Sequence, residues 1–300
     1  MTDGVLLLDK PAGISSNAAL QRVRRLFGWP KAGHTGTLDP LATGLLPICL
    51  GEATKFSYSL LDADKSYEAT IRLGARSTTG DAEGVIENVA PPVFSDETLA
   101  SVLASFVGPI EQVPPMHSAL KKDGKPLYQY ARAGEVIDRQ PRKIIINSLQ
   151  FVDREHETIR IAVHCSKGTY IRVLAQDIGD RLECGGYLLA LRRTGIRDLD
   201  LKDAVALEAL DAMDEAGRIG RLLPVDRLVA ILPALHLEED AGRRIVNGLE
   251  VRGALPAGLH RLYGPEGGFL GLGEARADGS LVAKRLVSTA PPAAKPAVRT

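Results

Sequence analysis

The chain has 300 residues, 45% of them hydrophobic, and its 37 basic and 37 acidic side chains give a net charge of zero, which disfavours binding to nucleic acid by bulk charge alone. No apolar run approaches the roughly 20 residues of a membrane span, and the start MTDGVLLLDKPAG is unlike a signal peptide, so we expect a globular cytoplasmic protein. Its three cysteines lack C-x-x-C spacing and its six histidines are scattered, which argues against a disulfide framework and a metal site.

Turn residues and apolar spacing predict secondary structure along the first part of the chain. Ser15 or Ser16 can cap a helix that runs to Phe27, because apolar residues recur at helical spacing and Gly28 can end it. The same criteria predict a strand over 67–73, a helix over about 95–107, strands over 143–152 and 158–165, and a helix over 170–182.

The order of these elements indicates the fold class. Strands and helices follow one another without regular β-α-β alternation, which favours an α+β fold with a largely antiparallel sheet. The segment 109–134 is too polar and proline-rich to form core. From about 229 the segments are short, strand-like and punctuated by glycine, which predicts a small β-rich module. The Pro/Ala-rich tail is expected to be disordered.

One loop near the start of the chain is a candidate functional site. The stretch GHTGTLDPLATGLLP, from Gly33 to Pro47, holds a single carboxylate, Asp39, among glycines and threonines. Glycine allows close backbone approaches, and Pro40 biases Asp39 toward an extended or turn conformation. Asp39 is therefore expected on a loop of constrained shape. An Asp before a proline is also an ordinary turn residue, so the loop alone does not establish a function.

Other stretches carry residues that could assist such a carboxylate. KSYEA places Tyr67 at the start of a strand, TTGDAEG places Asp81 in a turn, and KGTYIR places Tyr170 and Arg172 at the start of a helix. Each also has a purely structural interpretation, as a core aromatic, a turn residue or a surface charge.

The basic residues are segregated along the chain. No acidic residue occurs from Lys10 to Leu38, and seven basic residues oppose three acidic ones between Lys121 and Lys143. After Asp278 the chain again lacks acidic residues. This distribution is moderately indicative of a polyanionic ligand such as RNA.

Taken together, these stretches resemble the TruB-type tRNA pseudouridine synthases. The resemblance runs over nearly the whole chain and rests on long motifs that occur in the family's order. They are LLLDKPAGISS, GHTGTLDPLATGLLPICLGEATKF, KSYEATIRLGARSTTGDAEG, QVPPMHSALKKDGKPLYQYARAGE and SKGTYIRVLAQDIGDRLECGGYLLALRRTGI.

The resemblance implies a fold, a domain organisation and a function. It implies a pseudouridine synthase catalytic domain over 1–228, a thumb insertion at about 109–143, a PUA-like RNA-binding domain over 229–287 and a tail over 288–300. The enzyme would isomerise U55 in the T-loop of tRNA to pseudouridine, and it would also assist tRNA folding. No cofactor, metal, guide RNA or protein partner is implied, and a monomer is expected.

The resemblance also assigns roles to residues of this sequence. Asp39 matches the catalytic aspartate, Arg172 matches the arginine that pairs with it and should keep it ionised, and Tyr67 matches the tyrosine that stacks on the flipped base. Further active-site matches are Tyr170, Lys55, Asp81 and Leu191. Matches to RNA-binding positions are His34, which fills the space left in the T-loop, and the thumb residues Lys121, Lys122, Lys125 and Tyr128.

Two alternatives and two departures stay open at this point. An RNA-binding or RNA-folding protein would need only the basic segments, and a hydrolase would need a second carboxylate, for which Asp81 and Glu83 are weak candidates. Where the family often has a Gly-Pro-Phe-like turn after LRRT, this chain has GIRDLD, and CGGYLL lacks a frequent histidine. The departures concern the rim of the pocket and not Asp39.

Overall fold

The computed structural model describes residues 2–253 and 255–288. In chain order its strands are β1 (Gly4–Lys10), β2 (Ala32–His34), β3 (Thr43–Leu50), β4 (Lys65–Leu73), β5 (Ala75–Ser77), β6 (Ile86–Asn88), β7 (Gly108–Gln112), β8 (Lys121–Lys122), β9 (Lys125–Pro126), β10 (Arg142–Glu155), β11 (Thr158–Cys165), β12 (Gly186–Ile196), β13 (Leu199–Asp200), β14 (Val205–Ala206), β15 (Leu222–Leu223), β16 (Ala234–His236), β17 (Val251–Arg252), β18 (Gly258–Tyr263), β19 (Phe269–Ala275) and β20 (Ser280–Leu286).

The helices lie between these strands and on their faces. They are α1 (Ser16–Phe27), α2 (Tyr58–Leu61), α3 (Asp96–Ala104), α4 (Leu127–Arg132), α5 (Ile171–Arg181), α6 (Leu207–Ala212), α7 (Glu215–Ile219) and α8 (Glu239–Val246), with 3-10 turns at Gly51–Lys55, Leu201–Asp203 and Val225–Val229. Within the described residues, none of these helices has both the length and the apolar character needed to cross a bilayer.

An eleven-stranded mixed sheet forms the centre of the molecule. Its strands follow the order β14-β1-β3-β12-β4-β11-β10-β7, with β2, β13 and β15 paired at its sides. Only β1 with β14 and β12 with β3 are parallel among its described pairs. The predicted α+β class with a mixed, largely antiparallel sheet is confirmed.

Helices cover the central sheet at two places. Leu99 and Leu103 of α3 and Leu174 and Ile178 of α5 are buried against β4, β10 and β11. Elsewhere α1 and α6 pack on β1 and β3, where Val23 is fully buried. Burial of each such side chain contributes about 1.5–3 kcal/mol, so the sheet and its helices form the main core.

Local signals set the bounds of α1 well. Ser15 precedes the helix in an extended conformation and its hydroxyl accepts a hydrogen bond from the amide of Ala18. Gly28 ends the helix with a φ of 64°, in the left-handed region that glycine tolerates. The helix predicted from Ser15 or Ser16 to Phe27 is confirmed. The helix predicted over 95–107 ends earlier, at Ala104.

Both ends of the predicted thumb insertion, about 109–143, belong to the central sheet, and its bounds stay a prediction. Residues 108–112 form β7, which pairs in antiparallel fashion with residues 142–146 of β10. These residues therefore extend the central sheet as its edge strand. The segment that leaves the sheet, which we call the thumb, comprises residues 113–141. It contains the β8–β9 hairpin and α4.

A second, five-stranded sheet follows in the order β16-β18-β19-β20-β17. It begins at Ala234, five residues after the 3-10 turn Val225–Val229. Its own core contains Ile245 of α8, Leu262 and Leu281. The predicted β-rich module is thus present, while the predicted boundary at 228/229 stays a prediction. Residues 289–300 of the predicted disordered tail lie outside the described residues.

The second sheet is attached to the part of the structure built on the central sheet by apolar and polar contacts. The rings of Phe269 and Phe56 pack with centroids 5.5 Å apart. The Tyr263 hydroxyl donates a hydrogen bond to Asp226 (2.7 Å), and Arg285 donates one to the carbonyl of Lys55 (3.0 Å). These contacts hold the two sheets together.

All three cysteines are buried in the core and unpaired. Burial raises the pKa of the Cys49 thiol to about 12 and that of Cys165 to about 11, and it also raises the pKa of Cys184. Cys49 and Cys165 lie on strands of the central sheet, as apolar core residues.

The placement of α5 depends on a close contact between two glycines. A Cβ on Gly179 of α5 would lie 2.2 Å from the backbone nitrogen of Gly186, at the start of β12. Gly179→Ala is therefore expected to lower the free energy of unfolding by about 1–3 kcal/mol, because the helix must move away from the sheet. Urea unfolding monitored by circular dichroism measures the change.

Gly220 provides the matched control for this substitution. It ends α7 with an ordinary helical φ of −64°, and a Cβ there would meet nothing nearer than 3.5 Å. Gly220→Ala should leave stability unchanged or raise it by about 0.4–1 kcal/mol, since alanine restricts the unfolded chain. Equal effects at both glycines would contradict the packing argument.

Candidate active site

A pocket of about 530 Å³ opens between the central sheet and the thumb. Its walls come from the loop of residues 35–42, which we call the Asp39 loop, from β4 and β12, from the start of α5, and from thumb residues. Many residues singled out in the sequence line it, namely Asp39, Tyr67, Asp81, Tyr128, Tyr170, Arg172 and Leu191.

The Asp39 loop is held by hydrogen bonds on both sides of the carboxylate. The Ser16 hydroxyl donates to the carbonyl of Leu38 (2.9 Å) and accepts from its amide (2.8 Å). The carbonyl of Pro40 accepts from the amide of Gly13 (2.9 Å). The backbone around Asp39 is therefore fixed by the start of α1, which positions the carboxylate in the pocket.

Arg172 joins two carboxylates at the floor of the pocket. Its Nη2 lies 3.1 Å from Oδ2 of Asp39, and its Nη1 lies 3.3 Å from Oδ2 of Asp81. The Arg172 and Asp81 side chains are 7% and 3% exposed, whereas that of Asp39 is 43% exposed. One buried guanidinium therefore serves a buried carboxylate and one that faces the pocket.

Further hydrogen bonds fix this ion-pair network. The second oxygen of Asp81, Oδ1, accepts from the Thr79 hydroxyl (2.5 Å) and the amide of Glu83 (3.1 Å). Arg172 Nη2 also donates to the carbonyl of His117 in the thumb (2.8 Å). Arg172 thus connects α5, the turn that carries Asp81 and the thumb. The family resemblance predicted the pairing of Arg172 with Asp39. It did not predict that Arg172 also pairs with Asp81 and donates to the carbonyl of His117.

The pKa of Asp39 is raised above its ordinary value. Loss of water by burial is the largest cause, the charge of Arg172 opposes it, and the charge of Asp81 adds to it. Arg172 therefore acts in the expected direction, toward the ionised form, but burial outweighs it. The carboxylate is more basic than an exposed aspartate, which suits a group that must attack or accept a proton.

Tyr67 lies beside Asp39 on the pocket wall formed by β4. Burial raises the pKa of its phenol, and the charge and hydrogen bonding of Arg193 oppose that rise. Leu191 of β12 lines the same pocket, and Tyr170 lines it at the start of α5. The amide of Tyr170 donates to Oε1 of Gln112 (3.0 Å), which ties α5 to the edge strand β7.

Two basic residues of the pocket were missed by sequence reasoning. Lys65 donates to the carbonyls of Leu61 (2.8 Å) and Ala63 (2.6 Å), and burial lowers its pKa to about 8. Arg193 is only 1% exposed. A signal for both was present, because Lys65 is two residues before Tyr67 and Arg193 two after Leu191, so each shares a strand face with a recognised residue.

Lys55 and His34 lie outside the pocket. The ammonium of Lys55 contacts Glu52 (2.6 Å) and the carbonyl of Leu286 (3.0 Å), so it faces the second sheet. His34 is on β2, outside the pocket lining, and its buried Nδ1 has no hydrogen-bond partner among the described residues. Burial, followed by the charge of Arg193, lowers the pKa of His34.

The thumb presents its basic residues in two ways. Lys121 and Lys122 are exposed on the β8–β9 hairpin. Lys125 lies over the ring of Tyr130, 4.2 Å from its centroid, and Arg132 lies over the ring of Tyr128. Tyr128 and Arg132 also line the pocket. The thumb therefore places cations and aromatic rings beside the mouth of the pocket.

The side chains of the pocket favour carboxylate chemistry on a ligand with a flat, apolar face. Asp39 supplies a partly exposed nucleophile or base, and Tyr67 and Leu191 supply an aromatic ring and an apolar wall. Within residues 2–253 and 255–288, no three His, Cys, Asp or Glu side chains are grouped as metal ligands.

Comparisons with known proteins show the family of this chain. The N-terminal domain model of the TruB family pseudouridylate synthases matches residues 24–171, and two C-terminal domain models of the same family match residues 172–230 and 233–287. A tRNA pseudouridine synthase B of Aromatoleum aromaticum is 55% identical over 292 residues, covering 96% of this chain and 94% of that protein. The chain belongs to the TruB family of pseudouridine synthases.

Other relatives and solved structures extend the comparison. The tRNA pseudouridine synthase B of Dechloromonas aromatica is 53% identical, and the match covers 96% of each chain. A chain in a crystal structure of a Cbf5-Nop10-Gar1 complex superposes with a TM-score of 0.67 at 25% identity, covering 91% of this chain and 78% of that one. The pseudouridine synthase fold expected from the sequence is confirmed. The TruB family models cover most of the motifs on which the resemblance was based.

Proposed function

We propose that this TruB family protein converts U55 in the T-loop of tRNA to pseudouridine, with Asp39 as the catalytic carboxylate. The observation that carries the proposal is the Asp39–Arg172–Asp81 network at the floor of a pocket walled by Tyr67 and Leu191. The tRNA substrate is supported by relatives that share 50–55% identity and are named tRNA pseudouridine synthase B.

The reaction requires a base to leave its sugar and return by a different atom. The bond from C1′ to N1 of uracil breaks, the base turns, a bond forms from C1′ to C5, and the C5 proton leaves to solvent while N1 gains one. A carboxylate next to the sugar can attack or accept a proton in this sequence. The basicity that burial gives Asp39 serves either role.

The remaining pocket residues hold the flipped nucleotide in this proposal. A base outside its stack needs aromatic or apolar contacts, and Tyr67 and Leu191 provide them. Arg172 orients Asp39, and Asp81 in turn orients Arg172. The thumb residues Lys121, Lys122 and Lys125 contact phosphates, and Tyr128 contacts the nucleotide near the mouth of the pocket.

The protein is further proposed to act alone in the cytoplasm, as a monomer. Its thumb carries its own cations and rings for RNA, which removes the need for a guide RNA to bring the substrate. The second sheet is proposed as a PUA-like domain that holds another part of the tRNA, and His34 as an RNA contact outside the pocket.

Tritium release tests the proposed reaction. A tRNA transcript labelled at C5 of its uridines should release tritium from a single position when the protein is added, because isomerisation at one uridine exchanges one C5 hydrogen. The matched transcript with cytidine at position 55 should release none. Release from both transcripts would show that the target is a uridine other than U55. Release from neither would show that the protein does not isomerise uridine in this tRNA.

The thumb lysines predict a change in the salt dependence of binding. The triple substitution Lys121→Ala, Lys122→Ala and Lys125→Ala should weaken tRNA binding and reduce the slope of log affinity against log salt by up to about 0.9 per lost phosphate contact. Filter binding over a series of salt concentrations measures the slope. Lys202 pairs with Asp200 and is 74% exposed, so Lys202→Ala is the control. An unchanged slope in the triple variant would exclude the thumb from the RNA interface.

A further inference from the structure

Arg193 is a buried cation at the base of the pocket that no carboxylate of the described residues pairs with. It is among the largest fully buried side chains of the protein, and no acidic side chain of the described residues forms an ion pair with it. Burial of an unpaired charge is expensive, so its surroundings must compensate for the lost water. The groups that contact the guanidinium show which part of the site it positions.

Two of these partners are carbonyls on opposite sides of Asp39. Arg193 Nε donates to the carbonyl of Leu45 (2.7 Å), and its Nη2 donates to the carbonyl of Gly36 (2.9 Å). Gly36 precedes Asp39 in the Asp39 loop, and Leu45 follows it on β3. One guanidinium therefore holds both sides of the loop that carries the carboxylate.

The glycines of this motif fit Arg193 closely. A Cβ on Gly44 would lie 2.3 Å from the carbonyl oxygen of Arg193, and one on Gly36 would lie 3.3 Å from its Nη1. Both glycines have positive φ, at 99° and 76°. Because Gly36 and Gly44 have no side chain, they leave room for the backbone and guanidinium of Arg193 and also adopt the positive φ that the turn requires.

Tyr67 is the cross-strand neighbour of Arg193. Arg193 and Tyr67 are directly opposite each other in the antiparallel pairing of β12 with β4, so their side chains leave the same face of the sheet. The guanidinium lowers the pKa of the phenol through its charge and hydrogen bonding, against the larger effect of burial. Both side chains line the pocket.

We propose that Arg193 is a positioning residue for Tyr67: it donates a hydrogen bond to the phenol oxygen and so holds the ring in the orientation that packs against the bound uracil. A hydrogen bond from a cation is stronger than one between neutral groups, so it restricts the ring to one orientation. The inference rests on the proposed function, in which Tyr67 faces the flipped uracil.

A double-mutant cycle tests whether Arg193 acts through Tyr67. Arg193→Met removes the charge and keeps an unbranched apolar chain. In the wild-type background it should lower the single-turnover rate on U55-containing tRNA by about tenfold or more, as expected for loss of a fixed donor. In the Tyr67→Phe background it should lower the rate by less than about threefold, because the hydroxyl is already absent.

Several further measurements separate this role from a structural one. The tRNA affinity of Arg193→Met should stay near wild type, whereas its melting temperature should fall because the carbonyls of Leu45 and Gly36 lose their donor. Arg193→Lys should recover part of the rate. The neighbouring Arg192 pairs with Asp9 outside the pocket, so Arg192→Met should leave the rate unchanged. If Arg193→Met does not fold, Arg193→Lys replaces it in the cycle. Arg193→Lys should lower the rate by less than is expected of Arg193→Met when Tyr67 is present, and it should leave the rate unchanged in the Tyr67→Phe background.

The outcomes distinguish this inference from the proposed function. Equal losses in the wild-type and Tyr67→Phe backgrounds, with an active wild type, would overturn the role of Arg193 alone. A wild-type protein that is inactive on U55-containing tRNA would overturn the proposed function and this inference together.

Discussion

Replacing Asp39 with asparagine is expected to lower the single-turnover rate of pseudouridine formation by at least about 10³-fold while tRNA still binds. Asparagine has nearly the same shape but can neither attack as an anion nor accept a proton, and such groups contribute factors of this size. Asp39 is 43% exposed, and Arg172 retains Asp81, so the fold should persist. Rates follow from tritium release with enzyme in excess over labelled tRNA.

Asp62 offers a matched control for this substitution. It is an aspartate outside the pocket lining whose Oδ1 accepts a hydrogen bond from Lys167 (2.7 Å). Asp62→Asn should retain the wild-type rate. Activity of Asp39→Asn above a few per cent of wild type would exclude Asp39 as the catalytic carboxylate and would favour a role for the loop as an RNA-binding turn. The inactive variant can also be assayed for tRNA folding, the other role that the family resemblance suggested.

Arg172→Ala is expected to reduce both stability and rate. Asp81, which is 3% exposed, would lose its cation, and an unpaired buried carboxylate of this kind costs about 3–5 kcal/mol. Removal of the Arg172 charge would raise the pKa of Asp39 further, because Arg172 is the main influence that lowers it. A higher pKa leaves less ionised Asp39 at a given pH, so the acid limb of the pH–rate profile should shift to higher pH.

Two companion variants separate charge from orientation. Arg172→Lys keeps the charge but lacks the planar fork that contacts Asp39 and Asp81 together, so its rate should fall while its acid limb moves little. Arg172→Ala combined with Asp81→Asn removes the unpaired charge, and stability should recover in part while the rate stays low. Urea unfolding and single-turnover rates from pH 5 to 9 measure these effects. A wild-type rate and acid limb in Arg172→Ala would show that Asp39 does not depend on this guanidinium.

Local signals in the sequence predicted local structure best. Ser15 and Gly28 bound α1 because capping and a left-handed end are decided within a few residues. The alternation of the strand predicted over 67–73 is confirmed as β4, which starts two residues earlier, at Lys65. The edge strand β7 was missed since its partner, residues 142–146, lies about 30 residues away in the chain.

The sequence predicted only part of the site, because long motifs can be recognised but contacts between distant segments cannot. Asp39, Tyr67 and Arg172 were recognised together because their motifs are long, and the structure brings them into one pocket. Lys55 lies outside this pocket, since the side of a short 3-10 turn that faces the pocket is set by packing against the second sheet, and its role stays a prediction. Arg193 was missed because an arginine on a strand is ordinary in sequence: its spacing from Leu191 indicates the face of the strand but not the burial, which is what sets it apart.

The burial of the three cysteines has a practical consequence for measuring motion of the thumb. Alkylating reagents and oxidants react with the thiolate, and Cys49, Cys165 and Cys184 are both shielded from solvent and held in the thiol form. A cysteine introduced at an exposed position such as Lys122 would therefore be the one site that a fluorophore labels under native conditions. The surroundings of the β8–β9 hairpin could then be followed by the emission of that fluorophore, with and without tRNA, in the otherwise unaltered chain.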